Sequence, residues 1–349
     1  MRLLVTGGAG FIGRAFVHRR LAETTDHITV LDKLTYAGTL ANLAGLESAP
    51  ATRDRFRFVK GDICDAALVS ELMGDQDAVI NFAAESHVDR SILDAAAFLR
   101  TGVIGVHTLL EAAREVTAGR ADGPGVRFVQ VSTDEVYGSV AEGASRETDM
   151  LDPRSPYSAA KAAGELLAQA YHATYGLDVV ITRGANTYGP NQHPEKLVSL
   201  FITNALCDEP LPLYGDGMQR RSWLFVDDHA DAVSLVLDRG ERGETYNVPG
   251  PHERTNRDVT EAILRQLDKP WSLVRSVPDR PGHDRRYAMD GTKIAALGWA
   301  SRVGFDDGIR RTVAWYVDNE PWWRTARDAD WADYYGQQYD WRLERSVGA

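Results

Sequence analysis

A tyrosine and a lysine four residues apart, Tyr157 and Lys161, open a run over Ser158–Tyr175 with helical spacing. Residues at that spacing share one face of a helix, so both side chains reach one pocket. A lysine ammonium and a positively charged hydride acceptor beside a phenol both favour the phenolate, and together are expected to bring Tyr157 below its ordinary pKa of about 10. A tyrosine so activated takes the proton of an alcohol while a hydride leaves the carbon. Alone, this pair is common on solvated helices. Upstream by 24 residues from Tyr157, however, an apolar strand ends in Val131-Ser132-Thr133-Asp134-Glu135-Val136-Tyr137-Gly138. Thr133 is suited to bond the oxygen of the same alcohol. Adjacent residues of an ideal strand point to opposite faces, so Asp134 and Glu135 share a pocket only if the chain turns there.

Two further acids beside a hydride-transfer site have a task if the alcohol is C4 of a hexose. Oxidation at C4 acidifies the hydrogen at C5. A base removes it while an acid protonates the departing C6 hydroxyl, and water is lost. Glu135 is read as that base and Asp134 as that acid. Asp134 must then hold its proton at neutral pH, with desolvation and its acidic neighbour raising its pKa.

These groups need a scaffold that carries a hydride acceptor. Thr6-Gly7-Gly8-Ala9-Gly10-Phe11-Ile12-Gly13 follows a first strand, Leu3–Val5, and opens a helix at Phe11–Ala22. Gly8, Gly10 and Gly13 fit G-x-G-x-x-G; Gly7, Gly10 and Gly13 fit G-x-x-G-x-x-G. Either pattern lets backbone amides approach a pyrophosphate at the positive end of a helix. Asp32 lies 19 residues after Gly13 at the end of a second strand. There it suits the ribose hydroxyls and repels a 2′-phosphate, which favours NAD over NADP; the bland reading is a strand-end cap. Asp62 and Ile63 follow a third strand, where they can frame an adenine ring.

Further strands are expected at Ile28–Leu31, Phe56–Val59, Ala78–Ile80, Phe128–Val131 and Asp178–Thr182, with helices at Ala66–Met73 and Asp94–Val116. The alternation predicts an α/β fold, a Rossmann-type doubly wound parallel sheet with a smaller C-terminal α/β substrate-binding region. The expected divisions are 1–189 for the NAD-binding part, its sheet completed by later segments, 190–320 for the substrate-binding region, and 321–349 as a tail with no assigned role. Helices are expected in the second part at Glu195–Cys207, Asp227–Asp238, Asn256–Leu267 and Asp306–Asp318. The chain has 349 residues and a formal net charge of -11, from 50 acidic and 39 basic residues. That field disfavours nucleic acid and anionic lipid as partners. The only cysteines, Cys64 and Cys207, show no metal-ligand spacing, and no metal is expected. With no long apolar run, the expected location is the cytoplasm.

Together these residues resemble the extended short-chain dehydrogenase/reductase superfamily and, within it, the dTDP-glucose 4,6-dehydratase family. The likeness runs from Met1 to about Val317 and includes Asp32-Lys33-Leu34-Thr35-Tyr36-Ala37-Gly38, Asn81 to Ser91 and Pro194-Glu195-Lys196-Leu197. It implies catalytic Thr133, Asp134, Glu135, Tyr157 and Lys161. It implies NAD contacts at Phe11, Ile12, Asp32, Lys33, Leu34, Thr35, Asp62, Ile63, Ala83, Ala84, Ser86, Thr101, Tyr157 and Lys161, with the cofactor regenerated each turnover and so kept bound. The implied substrate, dTDP-glucose, would meet His87, Thr133, Asn186, Glu195, Lys196, Leu197, Tyr214, Arg221, Asn256, Arg280 and His283. The family also implies a homodimer, for which Ala159, Ala160, Ala162, Ala163 and Ala170 would allow close helix approach. Gly102, Thr187, Asn191 and Ser222 depart from the usual pattern. Other readings are a GDP-mannose 4,6-dehydratase, a nucleotide-sugar 4-epimerase, which gives the two acids no task, and an NAD-binding relative without turnover.

Overall fold

The computed structural model describes residues 1–120 and 123–348. Its first half alternates strand and helix: β1 (Arg2–Thr6), α1 (Phe11–Glu23), β2 (His27–Asp32), β3 (Phe56–Lys60), α2 (Ala66–Met73), β4 (Ala78–Asn81), α3 (Val88–Leu93), α4 (Ala96–Leu99), α5 (Val106–Gly119), β5 (Arg127–Thr133), α6 (Pro156–Tyr175) and β6 (Asp178–Gly184). The second half is less regular. It holds β7 (Asn186–Tyr188), α7 (Leu197–Leu206), β8 (Leu211–Tyr214), β9 (Arg220–Phe225), α8 (Val226–Arg239), β10 (Thr245–Val248), β11 (Glu253–Thr255), α9 (Asn256–Leu267), β12 (Val274–Val277), α10 (Thr292–Ala296), α11 (Phe305–Asp318), α12 (Glu320–Ala326), α13 (Ala329–Tyr335) and α14 (Trp341–Glu344).

Helical crossovers return each early strand in the same direction, so the main sheet is parallel throughout, in the order β10-β6-β5-β4-β1-β2-β3. Six of its strands have the doubly wound order, and the seventh, β10, arrives from far along the chain. Successive residues of each strand serve opposite cores. Leu3, Val5, Val30, Ile80 and Val129 pack on one face with Phe16 and Val17 of α1. Leu4, Leu31, Val79 and Phe128 pack on the other with Leu109 and Leu110 of α5. Removing the buried Leu4 side chain to Ala costs about 2–5 kcal/mol by the usual large-to-small scale.

The helix that carries Tyr157 has strong boundaries. Ser155 and Ser158 form a capping box, Pro156 occupies the first turn, and Gly176 ends α6 at φ +65°. The expected single helix over Asp94–Val116 differs: α4 and α5 flank a wider π-helical turn at Arg100–Gly105. Gly102 there lies against Ala160 of α6, and Gly105 against Ile63. The turn brings backbone close to both the second core and α6, which a uniform apolar period does not reveal.

Smaller sheets organise the second half. β11-β9-β7 forms one, with β7 following directly from the tip of β6, and β8 pairs in parallel with β12 in another. The tail, given no role from the sequence, folds into helices through α14 and buries Trp323, Trp331, Tyr334 and Tyr339.

Candidate active site

The carboxyl ends of β1, β2, β4, β5 and β6 open on one cleft, which encloses about 310 Å³. At the β1 tip, Gly7 takes φ +70°, and a Cβ there would stand 2.6 Å from the Ala83 nitrogen. A Cβ on Gly13 would collide with the Gly7 carbonyl oxygen. Of the two glycine patterns, the one through Gly7 and Gly13 is therefore where backbone approaches backbone. Gly10 stands just before α1, whose first-turn amides need an acceptor from outside the helix.

Asp32 combines both readings given to it. Its Oδ2 accepts from Ala9 N at 2.9 Å and its Oδ1 from Leu34 N at 2.8 Å, so it ties the glycine turn to the next loop while lining the cleft. Burial raises its pKa, and those two amides partly offset the rise. Lys33 pairs with Asp62 at 2.9 Å, fixing both at the cleft wall. Phe11, Ile12, Thr35, Ile63, Ala83, Ala84, Ser86 and Thr101 also line it. Leu34 is not in the lining; it enters only through its backbone amide. A cradle that a single Cβ would fill, followed by a helix N-terminus and a strand-end carboxylate, fits a dinucleotide.

At the β5 tip the chain leaves the strand at Thr133 and turns through a short 3₁₀ segment, Asp134–Tyr137. This turn breaks the two-residue alternation, and Asp134, Glu135, Tyr157 and Lys161 all face the cleft. The Thr133 hydroxyl lies 3.2 Å from Asp134 Oδ1 and accepts from Glu135 N at 3.3 Å. Asp134 is buried, and desolvation with the charge of Glu135 lifts its pKa to about 8. Burial also raises Glu135, but Arg280, Lys196 and Arg221 oppose the rise and favour its ionised form.

Lys161 donates to the Val131 carbonyl at 2.5 Å, and its burial lowers its pKa to about 8. The expected lowering of Tyr157 is corrected by this arrangement. Its pKa is raised, chiefly by burial and then by Glu135 and Asp134, while a hydrogen bond with Thr133 opposes the rise. Burial first and the neighbouring carboxyls second, both absent from a reading of the Tyr–Lys pair alone, set the direction.

Cations gather beyond Glu135. Asn186, Glu195, Lys196 and Leu197 line the cleft; His87, Tyr214, Arg221, Asn256, Arg280 and His283 lie outside the lining. Several of these join the site through intermediaries. His87 Nε2 donates to the Glu195 carbonyl at 3.0 Å. Tyr214 and Arg280 both bond the Asp89 carboxylate, at 2.8 and 3.1 Å. Burial would raise Asp89, yet Arg280 and His87 hold it down at about 2. Arg221 stacks 4.1 Å from the Tyr287 ring centroid and donates to the Asp284 carbonyl. His283 pairs with Asp279 at 2.6 Å. Asn256 is buried at the start of α9, its backbone amide bonded to the Gln219 carbonyl, and the Gln219 side chain in turn donates to Asp279, the partner of His283. Among the described residues, no group of three His, Cys, Asp or Glu side chains is placed to hold a metal ion.

The sequence matches the GDP-mannose 4,6 dehydratase family over residues 4–312. The chain belongs to this family. A curated relative, a dTDP-glucose 4,6-dehydratase of Streptomyces niveus, is 51% identical over 336 residues, covering 95% of this chain and 97% of that one. A solved dTDP-glucose 4,6-dehydratase of Streptomyces venezuelae, with NAD bound, is 52% identical with a TM-score of 0.88, covering 93% of this chain and all of the other. The Bacillus anthracis dTDP-glucose 4,6-dehydratase, in complex with NAD, is 42% identical with a TM-score of 0.84, covering 93% and 99%.

Some site residues carry no sequence signal of their own. Gln192, His193, Trp223 and His229 line the cleft without belonging to a quoted motif, and Glu85, within the stretch Asn81 to Ser91, lines it without having been given a role. Thr187, one of the departures, bonds His229 Nδ1 at 2.8 Å and the Ala185 carbonyl at 3.0 Å. Asn191 takes φ +67°, a conformation asparagine tolerates better than an aromatic residue does. The tail residues Tyr334, Gln338 and Tyr339 reach His87 and Tyr214; the density of aromatic residues after Trp322 was their only trace in the sequence.

Proposed function

We infer that this chain acts as a dTDP-glucose 4,6-dehydratase, an NAD-dependent hydro-lyase of deoxysugar biosynthesis that yields dTDP-4-keto-6-deoxy-glucose. One observation carries the reading: two carboxyl groups share the cleft of the Tyr–Lys pair, and burial with the charge of Glu135 lifts Asp134 to about 8. An epimerase has no use for that pair. The relatives that match nearly the whole chain at about half identity carry the same activity in their names.

NAD, when bound, supplies the acceptor for the C4 hydride and returns that hydride at C6, so no net oxidation results. The Gly7–Gly13 turn and the α1 N-terminus would hold its pyrophosphate, and Asp32 would hold its ribose. Tyr157 would take the proton of the C4 hydroxyl as the phenolate, which the positive charge of an oxidised nicotinamide would favour against burial and the two carboxyls, while Thr133 bonds the hydroxyl oxygen. Lys161 lies buried one helical turn from Tyr157, its ammonium anchored on the Val131 carbonyl. Glu135, whose ionised form Arg280, Lys196 and Arg221 favour against burial, removes the C5 proton. Asp134 gives its proton to the C6 hydroxyl, which leaves as water. The same cations, Arg221 and Arg280, suit a diphosphate better than ammonium groups would, because a guanidinium fork matches two phosphate oxygens at once.

The reading extends to a homodimer. Ala159, Leu166 and Ala170 form an exposed stripe on α6 with the partly covered Ala163, next to exposed Leu99 and Ile104. Ala160 and Ala162 are buried within the chain instead. Light scattering should give twice the monomer mass, and Leu166→Glu should halve it. Two unpaired cysteines support the cytoplasm as its location, and among the described residues no helix is long and apolar enough to cross a membrane.

Purified protein is incubated with dTDP-, UDP- and GDP-hexoses without added NAD, and alkaline absorbance reports a 4-keto-6-deoxy product. Turnover of dTDP-glucose alone is expected. Formation of dTDP-galactose in its place would defeat the dehydratase reading.

A further inference from the structure

Arg90 lies between two tyrosines from distant parts of the chain. The Tyr36 ring centroid is 4.1 Å from its guanidinium carbon on one side, and the Tyr334 centroid is 4.0 Å away on the other. Tyr36 belongs to the loop after β2, and Tyr334 to α13, beyond the segment that matches the family. Held between the rings, Arg90 donates from Nε to Glu195 Oε2 at 2.8 Å. The Glu195 carboxylate is buried, and its Oε1 has no partner within the protein while Glu195 lines the cleft.

A second path joins the same two segments. His87 Nε2 lies 3.0 Å from the Glu195 carbonyl oxygen, which only accepts, so that nitrogen carries the hydrogen. Burial lowers the His87 pKa to about 4, leaving the ring neutral and its Nδ1 an acceptor. The Tyr334 hydroxyl, 3.1 Å away, therefore donates to it. Trp331, one turn earlier on α13, donates to the Pro194 carbonyl at 2.9 Å. Helix α13 thus grips residues 194 and 195 from both sides.

We propose that Tyr36, Arg90 and Tyr334 form a clasp that holds the Glu195–Lys196 loop in its sugar-nucleotide-binding position, so that α13 is a positioning element for substrate. The proposal rests on the dehydratase reading for the identity of that substrate. Ring faces on both sides restrain a guanidinium more than one face does, and desolvation strengthens the attraction. Loss of one face frees Arg90, and the loop it holds loses its geometry before the sugar arrives. Tyr157 and Lys161 sit on α6 and the two acids on the 3₁₀ turn after β5, outside the clasp. Lys196, on the held loop, favours ionised Glu135, and bound substrate restores that loop, so kcat changes far less than KM.

Steady-state kinetics of the NAD-bound protein with dTDP-glucose test this. Tyr334→Leu, which keeps apolar bulk and removes the ring face, should raise KM about tenfold with kcat within about twofold, the signature of lost uniform binding. Tyr334→Phe, which restores the face, should recover most of that KM. Amide hydrogen exchange on the Leu variant should quicken in residues 193–197 and stay unchanged in β1, β4 and β5. An unchanged KM, a fall confined to kcat, or unaltered exchange at 193–197 would overturn the clasp. Failure of the unmodified protein to convert dTDP-glucose would defeat the dehydratase reading alone, since the exchange measurement still reports on the clasp.

Discussion

On the cofactor side of the cleft, position comes from backbone: Gly7 against Ala83, Gly13 against Gly7, and the Asp32 carboxylate tied to two amides. On the sugar-nucleotide side it comes from long side chains such as Arg90, Arg221 and Arg280, held by aromatic faces, a carboxylate and a backbone carbonyl from distant segments. A backbone cradle tolerates no added atom and leaves a short, local sequence pattern. A side-chain lattice tolerates small changes of bulk but depends on charge geometry, and its parts meet only through the fold.

The largest effect expected falls between the two sides, at the base. Glu135→Gln should slow dehydration about 10³-fold while C4 oxidation stays visible as NADH absorbance. Solvent exchange at C5 persisting at its normal rate would remove Glu135 from that role. Next, Gly13→Ala should cut the NAD retained by purified protein about tenfold or more, because the methyl meets backbone that cannot yield. Full NAD content, extracted and quantified, would show that the cradle is looser than its contacts.

The acid responds to pH. Below about 8 Asp134 keeps its proton, and above it the proton is lost, so the elimination rate should fall about tenfold per unit above that point. Lys161 loses its charge over the same range. Because the folded pKa of Asp134 lies above its unfolded value, the stability tied to its neutral form is present at pH 4 and lost as pH rises through 8. Asp134→Asn should therefore raise Tm at pH 8 and leave it unchanged at pH 4. Smallest is the effect of Arg280→Lys, which keeps the charge and loses the fork. KM for dTDP-glucose should rise about fivefold with NAD content unaltered. A matching loss of NAD would break the contrast between the two sides.

The same contrast explains what could be read in advance. The five early strands, α1, α2 and α6 show themselves because each is a local pattern of burial and capping, and the cradle because its glycines sit within seven residues of one another. The turn at Asp134 was a stated condition for the acid pair, and the 3₁₀ segment meets it. Where the reading departed, distant contacts decided. Ala160 against Gly102 accompanies the π-helical turn in the expected long helix. Burial, with the carboxyls around it, raised Tyr157 instead of lowering it. Arg90 stood within a quoted motif with no task assigned, since both of its aromatic partners lie elsewhere in the chain.

The strand that flanks β6 has a bearing on synthesis. While the ribosome is making the second half, β6 forms the rim of an unfinished sheet, its outer amides and carbonyls bare, until Thr245–Val248 emerge to cover them. Nascent chains halted in that interval would offer a template to any other extended peptide, so a pause placed there should favour aggregates over enzyme.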